Sequence, residues 1–188
     1  NAHPHCDEKN TVAVVQNGIL EDYETLRSQL RQKGYRFASD TDTEVLPHLI
    51  HDFLQQGEDF FQACKKTAEL CEGRFAFVAL HAGEQRLIAI RQGSPLILGL
   101  SEEQYFLASD TPAFLEHTQR IHYIDDGELV EIDEKGAHVF SLETLEPVIK
   151  REVLLEKAVQ NGGKGDHEHF MLKEIFEQKE TIQKAIDQ

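Results

Sequence analysis

Three cysteines in 188 residues, with no two in a CxxC pair, leave no material for a disulfide framework. They point instead to a reducing compartment, the cytoplasm by default. Long apolar runs are also missing: no stretch reaches the roughly 18–20 residues that a membrane span needs. The first residues carry neither the basic nor the apolar region of a signal peptide. Bases are scarce, 19 Lys and Arg against 34 Asp and Glu, giving a net charge of −15. Nucleic-acid binding depends on cations that neutralise phosphates, so that class of partner is excluded. There is no GxSxG elbow and no glycine-rich phosphate loop. An initiator Met is lacking too, and the opening Asn1-Ala2-His3-Pro4-His5 leads us to expect a fragment of something longer.

What is present is an ordinary globular balance, 40% hydrophobic and 28% charged, enough for one sizeable core. Thr11 to Val15 is a β-branched run that meets Asn17-Gly18, read as a strand ending in a turn. Tyr23, Leu26 and Leu30 recur at helical spacing between Glu21 and Lys33, with Gly34 as a stop. A second helix is predicted from Asp40 to Gly57, where Pro47 is tolerable only near the first turn. A third runs from Asp59 to Leu70. Short apolar runs then follow at Arg74–Leu80, Arg86–Ile90, Leu96–Leu100 and Tyr105–Ala108, which predict an antiparallel meander. After a helical turn near Thr111–His117 come strands at Ile121–Ile124, Glu128–Ile132 and Ala137–Phe140. Gln160 to Asp166 has the composition of a flexible connector, and Glu168 to Gln188 returns to helical periodicity. Helices grouped before a run of strands predict an α+β fold.

Two places could carry chemistry. Asn17-Gly18 is a type I′ hairpin turn on pattern alone. However, a helix follows, with no partner strand two residues on. The alternative is an oxyanion site, in which the Asn17 side-chain amide and the Gly18 backbone N–H aim at one point. Gly at the second position lets substrate approach closely. Asp42 is either a helix cap or a carboxylate for the α-ammonium of an amino-acid substrate. Asp40 and Glu44 compete for the capping role, which would leave one carboxylate free. His3, His5 and Cys6, like His167 and His169, are potential metal ligands, but no matching second pair completes a zinc set, and no metal is expected. Cys64 and Cys71, seven apart on one helix face, read as packing residues.

Several segments together resemble the class II glutamine amidotransferases, most closely the glucosamine-6-phosphate synthase branch. They are Asn1-Ala2-His3-Pro4-His5, Val14-Val15-Gln16-Asn17-Gly18-Ile19-Leu20-Glu21 and Thr41-Asp42-Thr43-Glu44-Val45. Arg91-Gln92-Gly93-Ser94-Pro95-Leu96, Ala108-Ser109-Asp110 and His169-Phe170-Met171-Leu172-Lys173-Glu174-Ile175-Phe176-Glu177-Gln178 follow in the family order. The resemblance implies an αββα four-layer sandwich of the Ntn-hydrolase type, here lacking its first strands. Residues 1–159 would be the glutaminase domain, incomplete at its N-terminus, and 160–188 a linker and helix leading to a sugar isomerase domain. It further implies that Asn17 and Gly18 form the oxyanion hole and that Asp42 holds the amino group of glutamine. Ammonia would pass to fructose-6-phosphate, giving glucosamine-6-phosphate and glutamate, without metal or organic cofactor.

Two departures from the family pattern stand out. The family nucleophile is an N-terminal Cys whose own amine acts as base. Residue 1 here is Asn and Cys6 lies outside that motif, so this chain alone is expected to be inactive. Gln16 stands where the family commonly has His, which removes a proton carrier. A sandwich without its first strands would have an open edge, for which a second copy, forming a homodimer, is the expected cover. Two rival readings stay open: the glutaminase domain of another class II amidotransferase, and a non-catalytic binding or assembly module.

Overall fold

Alternation along one strand organises the molecule. Successive side chains of a strand point to opposite faces. In Gly73–His81 (β3), Phe75, Phe77 and Ala79 enter one buried cluster, while Ala76 and Val78 enter another. A sheet apolar on both faces must be covered on both. The computed structural model describes residues 2–102, 104–155 and 167–186, and it shows how.

The larger sheet has the order β1-β2-β3-β4-β8-β9, all neighbours antiparallel. Its strands are β1 (His5–Cys6), β2 (Val12–Leu20), β3, β4 (Leu87–Gln92), β8 (Glu128–Asp133) and β9 (Gly136–Ser141). Helices α1 (Tyr23–Gln32), α2 (Val45–Gln55) and α3 (Phe60–Leu70) supply Leu30, Leu46, Ile50, Phe60 and Cys64 to the cluster on one face. Against the other face lies a smaller antiparallel sheet, order β10-β7-β5-β6. It is built from β5 (Ile97–Leu100), β6 (Tyr105–Ala108), β7 (Arg120–Tyr123) and β10 (Val153–Leu154). Leu96 and Leu98 meet Ala89, Val130 and Val139 between the sheets. The α+β class is therefore as expected, with two antiparallel sheets stacked face to face. Among the described residues of this unit the layers are helix, sheet, sheet.

Three expectations need correction. First, the strands after Gly73 are not one meander. The chain leaves the larger sheet after β4, makes β5 to β7 in the smaller one, and returns as β8 beside β4. Two stacked sheets share one core, so each run buries its apolar face whichever sheet it joins. Second, Asn17-Gly18 neither ends a strand nor forms a hairpin: β2 continues through both to Leu20, with Asn17 opposite Ala76 and Gly18 opposite Phe75. Third, the predicted helix from Asp40 begins as a 3-10 turn over Asp42–Glu44, and α2 starts only at Val45, which places Pro47 in its first turn. In α3, Asp59 caps the helix by accepting from the Gln62 N–H at 2.9 Å.

Residues up to Leu154 form one unit, and those from Leu155 form a second. In the second, α4 spans Phe170–Ile186, and the His167 ring stacks on Phe176 at 5.4 Å. The connector expected at 160–166 lies outside the described residues. No described helix is long and apolar enough to cross a membrane.

Candidate functional site

Gly18 has φ +125°, a conformation that L side chains rarely adopt. It also has no room for a side chain. A Cβ there would lie 2.0 Å from the Arg74 carbonyl oxygen and 2.7 Å from both Phe75 Cα and Ser94 Oγ. Glycine is thus demanded twice over, by backbone angle and by the close approach of β3. Asn17, beside it, is exposed, and its side chain takes no hydrogen bond from the described residues. It lines a cavity of about 170 Å³ at the mouth between the two sheets, with Gln16, Ala76, Pro95, Leu96 and Ser109 among the walls.

Asp42 is tied to the same strand. Its Oδ2 accepts from the Leu20 N–H at 2.9 Å and its Oδ1 from the Thr43 N–H at 2.8 Å. The carboxylate is thereby fixed two residues beyond Gly18, although it does not line the cavity that Asn17 lines. Capping by Asp40 or Glu44 is not found, because no side chain caps the 3-10 turn or α2. Glu44 folds back instead, accepting from the Ala38 and Ser39 N–H groups at 2.7 Å each and from Ser39 Oγ at 2.6 Å. Burial alone would raise its carboxyl. These three donors outweigh burial and hold it below the usual range.

Sequence reasoning did not find what surrounds the turn. Thr41 Oγ1 and Thr43 Oγ1 meet His5 Nε2 and His3 Nε2 at 3.0 and 3.2 Å, and Thr43 Oγ1 also meets Gln16 Oε1 at 2.7 Å. Arg27, buried and stacked 4.8 Å over Phe37, donates to the Thr41 carbonyl oxygen at 2.6 Å. The only signal in the sequence was the hydroxyl on each side of Asp42. Among the described residues, no three His, Cys, Asp or Glu side chains are grouped to hold a metal.

The thiols stand away from the Asn17 cavity. Cys64 and Cys71 are buried in the helix-side core as expected, but not on one helix face, because α3 ends at Leu70 and Cys71 follows it in an extended conformation. Burial pushes Cys64 well above the ordinary thiol range and Cys71 to about 12. Cys6 is half-buried and lines a different, larger cavity of about 910 Å³ with His5, Ser39, Glu44 and His48. Because the thiolate is the reactive form, an aromatic disulfide reagent should titrate one thiol in the native chain and three after unfolding in urea. Three rapid native reactions would contradict this packing.

Known proteins resemble this chain in sequence and in fold. The model of the glutamine amidotransferase domain family matches residues 1–116. The glutamine–fructose-6-phosphate aminotransferase (isomerizing) of Aquifex aeolicus is 44% identical over 183 residues, covering 97% of this chain and 30% of that protein. The protein of the same name from Clostridium tetani is 45% identical over 184 residues, with the same coverage. This chain therefore spans about a third or less of the curated relatives it matches. Among solved structures, the B. subtilis glutamine phosphoribosylpyrophosphate amidotransferase with ADP and GMP aligns at TM-score 0.65 and 27% identity, over 77% of this chain and 32% of that one. A glutamine aminotransferase class-II domain protein from Silicibacter pomeroyi, at TM-score 0.54 and 18% identity over 74% of this chain and 70% of that one, shares the fold. A family match over more than half the chain takes in β2, the Asp42 turn and all three helices of the first unit, so this chain belongs to the glutamine amidotransferase domain family.

Proposed function

We propose that this chain is the glutamine-hydrolysing part of a longer enzyme that passes ammonia to fructose-6-phosphate, making glucosamine-6-phosphate and glutamate in a reducing compartment. The sugar would be held by a separate isomerase domain beyond the linker and α4. The observation that carries this reading is the joint fixation of Gly18 and Asp42 on one strand, with the Asn17 amide unengaged beside a cavity. The Asn17 side chain and the Gly18 N–H are suited to receive the oxyanion formed when a thiolate attacks the glutamine amide. Asp42, held by two backbone N–H groups, is suited to pair with the substrate ammonium. Identity of 44–45% to proteins named as aminotransferases acting on glutamine and fructose-6-phosphate supports the acceptor. None of the chain's own thiols lines the cavity beside Asn17, so the chain alone is expected to turn over no glutamine.

The test belongs in the full-length protein. Losing one partner of a desolvated, hydrogen-bonded charge pair costs a few kcal/mol, so Asp42→Ala should raise KM for glutamine about a hundredfold. Formation of glucosamine-6-phosphate from free ammonia should stay at the parent rate. Equal loss of both activities would overturn the assignment of Asp42 to glutamine.

A further inference from the structure

We propose that His3 and His5 are positioning residues that clasp the Asp42 turn from both sides and so set its preference for a substrate with an α-ammonium group. This rests on the reading of Asp42 given above. Each threonine and serine hydroxyl has one proton to give. Ser39 Oγ gives its proton to Glu44 Oε2 at 2.6 Å, so at its 2.7 Å contact with Thr41 Oγ1 it must accept. Thr41 Oγ1 has then spent its own proton and must accept from His5 Nε2 at 3.0 Å. On the other side of Asp42, with the Gln16 amide oxygen turned to it, Thr43 Oγ1 donates to Gln16 Oε1 at 2.7 Å and so accepts from His3 Nε2 at 3.2 Å. Both histidines are therefore N–H donors at Nε2, a role they keep whether neutral or protonated.

The placement is specific. The two rings stand 5.3 Å apart and perpendicular, one on each threonine flanking Asp42. His5 is buried and locked in register opposite Val14 of β2, the strand that carries Asn17 and Gly18. The Arg27 bond to the Thr41 carbonyl fixes the backbone of the same turn. Asp42 itself is held on β2 by Leu20. What the histidines add is the orientation of the turn about that anchor. This gives the His-Pro-His segment a task as hydrogen-bond donor rather than metal ligand.

Nuclear magnetic resonance titration of the isotope-labelled chain separates this inference from the reading beneath it. L-glutamine is compared with 4-carbamoylbutanoate, which is glutamine without its amino group. The parent should bind glutamine about tenfold more tightly, the worth of one charge-assisted hydrogen bond, with the Leu20, Asp42 and Thr43 amides shifting. In the H3A/H5A double variant the preference should fall to within about twofold. H3Q/H5Q, which restores an N–H donor at similar reach, should recover it. A parent with no preference overturns the reading of Asp42 and this proposal with it. A parent that discriminates, beside an H3A/H5A variant that discriminates equally, overturns the clasp alone. Should the alanine variant not fold, Thr41→Val and Thr43→Val, which remove only the hydroxyls, decide the matter: undiminished preference in both overturns the clasp.

Discussion

Gly18→Ala is expected to destabilise the chain by about 2–6 kcal/mol, read as a fall in the urea midpoint at unchanged slope. Two costs add. Holding a non-glycine residue at φ +125° strains the backbone by about 1–3 kcal/mol. Forcing a methyl group into filled space costs about 1–3 kcal/mol more. The second cost cannot be relieved by moving a flexible side chain, because the atoms met first, the Arg74 carbonyl oxygen and Phe75 Cα, are backbone of β3. That strand lies inside the larger sheet between β2 and β4, and the Phe75 ring is wholly buried, 6.1 Å from Phe77 in a stacked pair. Gly34→Ala is the natural control. Its φ is +99°, yet nothing lies within 4 Å of a Cβ there, so it should show the strain without the clash and cost about 1–3 kcal/mol. Equal losses in the two variants would mean that β3 does not press on Gly18. The same substitution should also spoil the site, since the Gly18 N–H can face an oxyanion only while β2 keeps this register.

How much of this was legible beforehand depended on the range of the interaction. The three helices and most strand cores could be read because their signal is local: Tyr23, Leu26 and Leu30 already show one face of α1, and Gly-punctuated apolar runs already mark β8 and β9. Strand partners were not legible. Leu87–Gln92 pairs with Glu128–Asp133 across three intervening strands of the other sheet, and nothing in either run names its partner. β1 and β10 are two residues long, too short to have a period at all. The candidate site divides in the same way. Asn17, Gly18 and Asp42 were reachable through a family resemblance, but the reason Gly18 must be glycine lies on β3, far along the chain. The contacts of His3 with Thr43 and of His5 with Thr41 span 40 and 36 residues, so nothing in the His-Pro-His segment pointed to its partners.

Asp7→Asn should cost about 3 kcal/mol or more, nearly as much as Asp7→Ala, although it changes a single atom from oxygen to nitrogen. Every contact of this buried carboxylate is with a donor. Oδ1 accepts from the Thr11 and Val12 N–H groups at 2.6 and 2.7 Å, while Oδ2 accepts from Thr11 Oγ1 at 3.0 Å and the Lys9 N–H at 3.2 Å. His51 Nδ1 stands 3.2 Å from Oδ2 as well. An amide must therefore turn its own NH2 toward donors on one side or the other, and buried N–H groups lose their acceptor. The loss reaches the site, because Asp7 closes the link from β1 to β2 and so fixes where His5 sits. Acid should reproduce the substitution. Burial by itself raises the Asp7 carboxyl, but the Val12 N–H, the Thr11 hydroxyl and N–H and the Lys9 N–H outweigh it and hold it below the ordinary range. A carboxyl depressed on folding contributes its full stability above the unfolded value, about 3.9, and loses it as pH falls through the lower folded value. The gap in unfolding free energy between parent and Asp7→Asn should accordingly stay constant from about pH 7 to pH 5 and close in the acid range below about 4. A gap that widened as acid was added would mean that the native state binds the proton at Asp7 more tightly than the unfolded chain, the reverse of what its four hydrogen-bond donors allow.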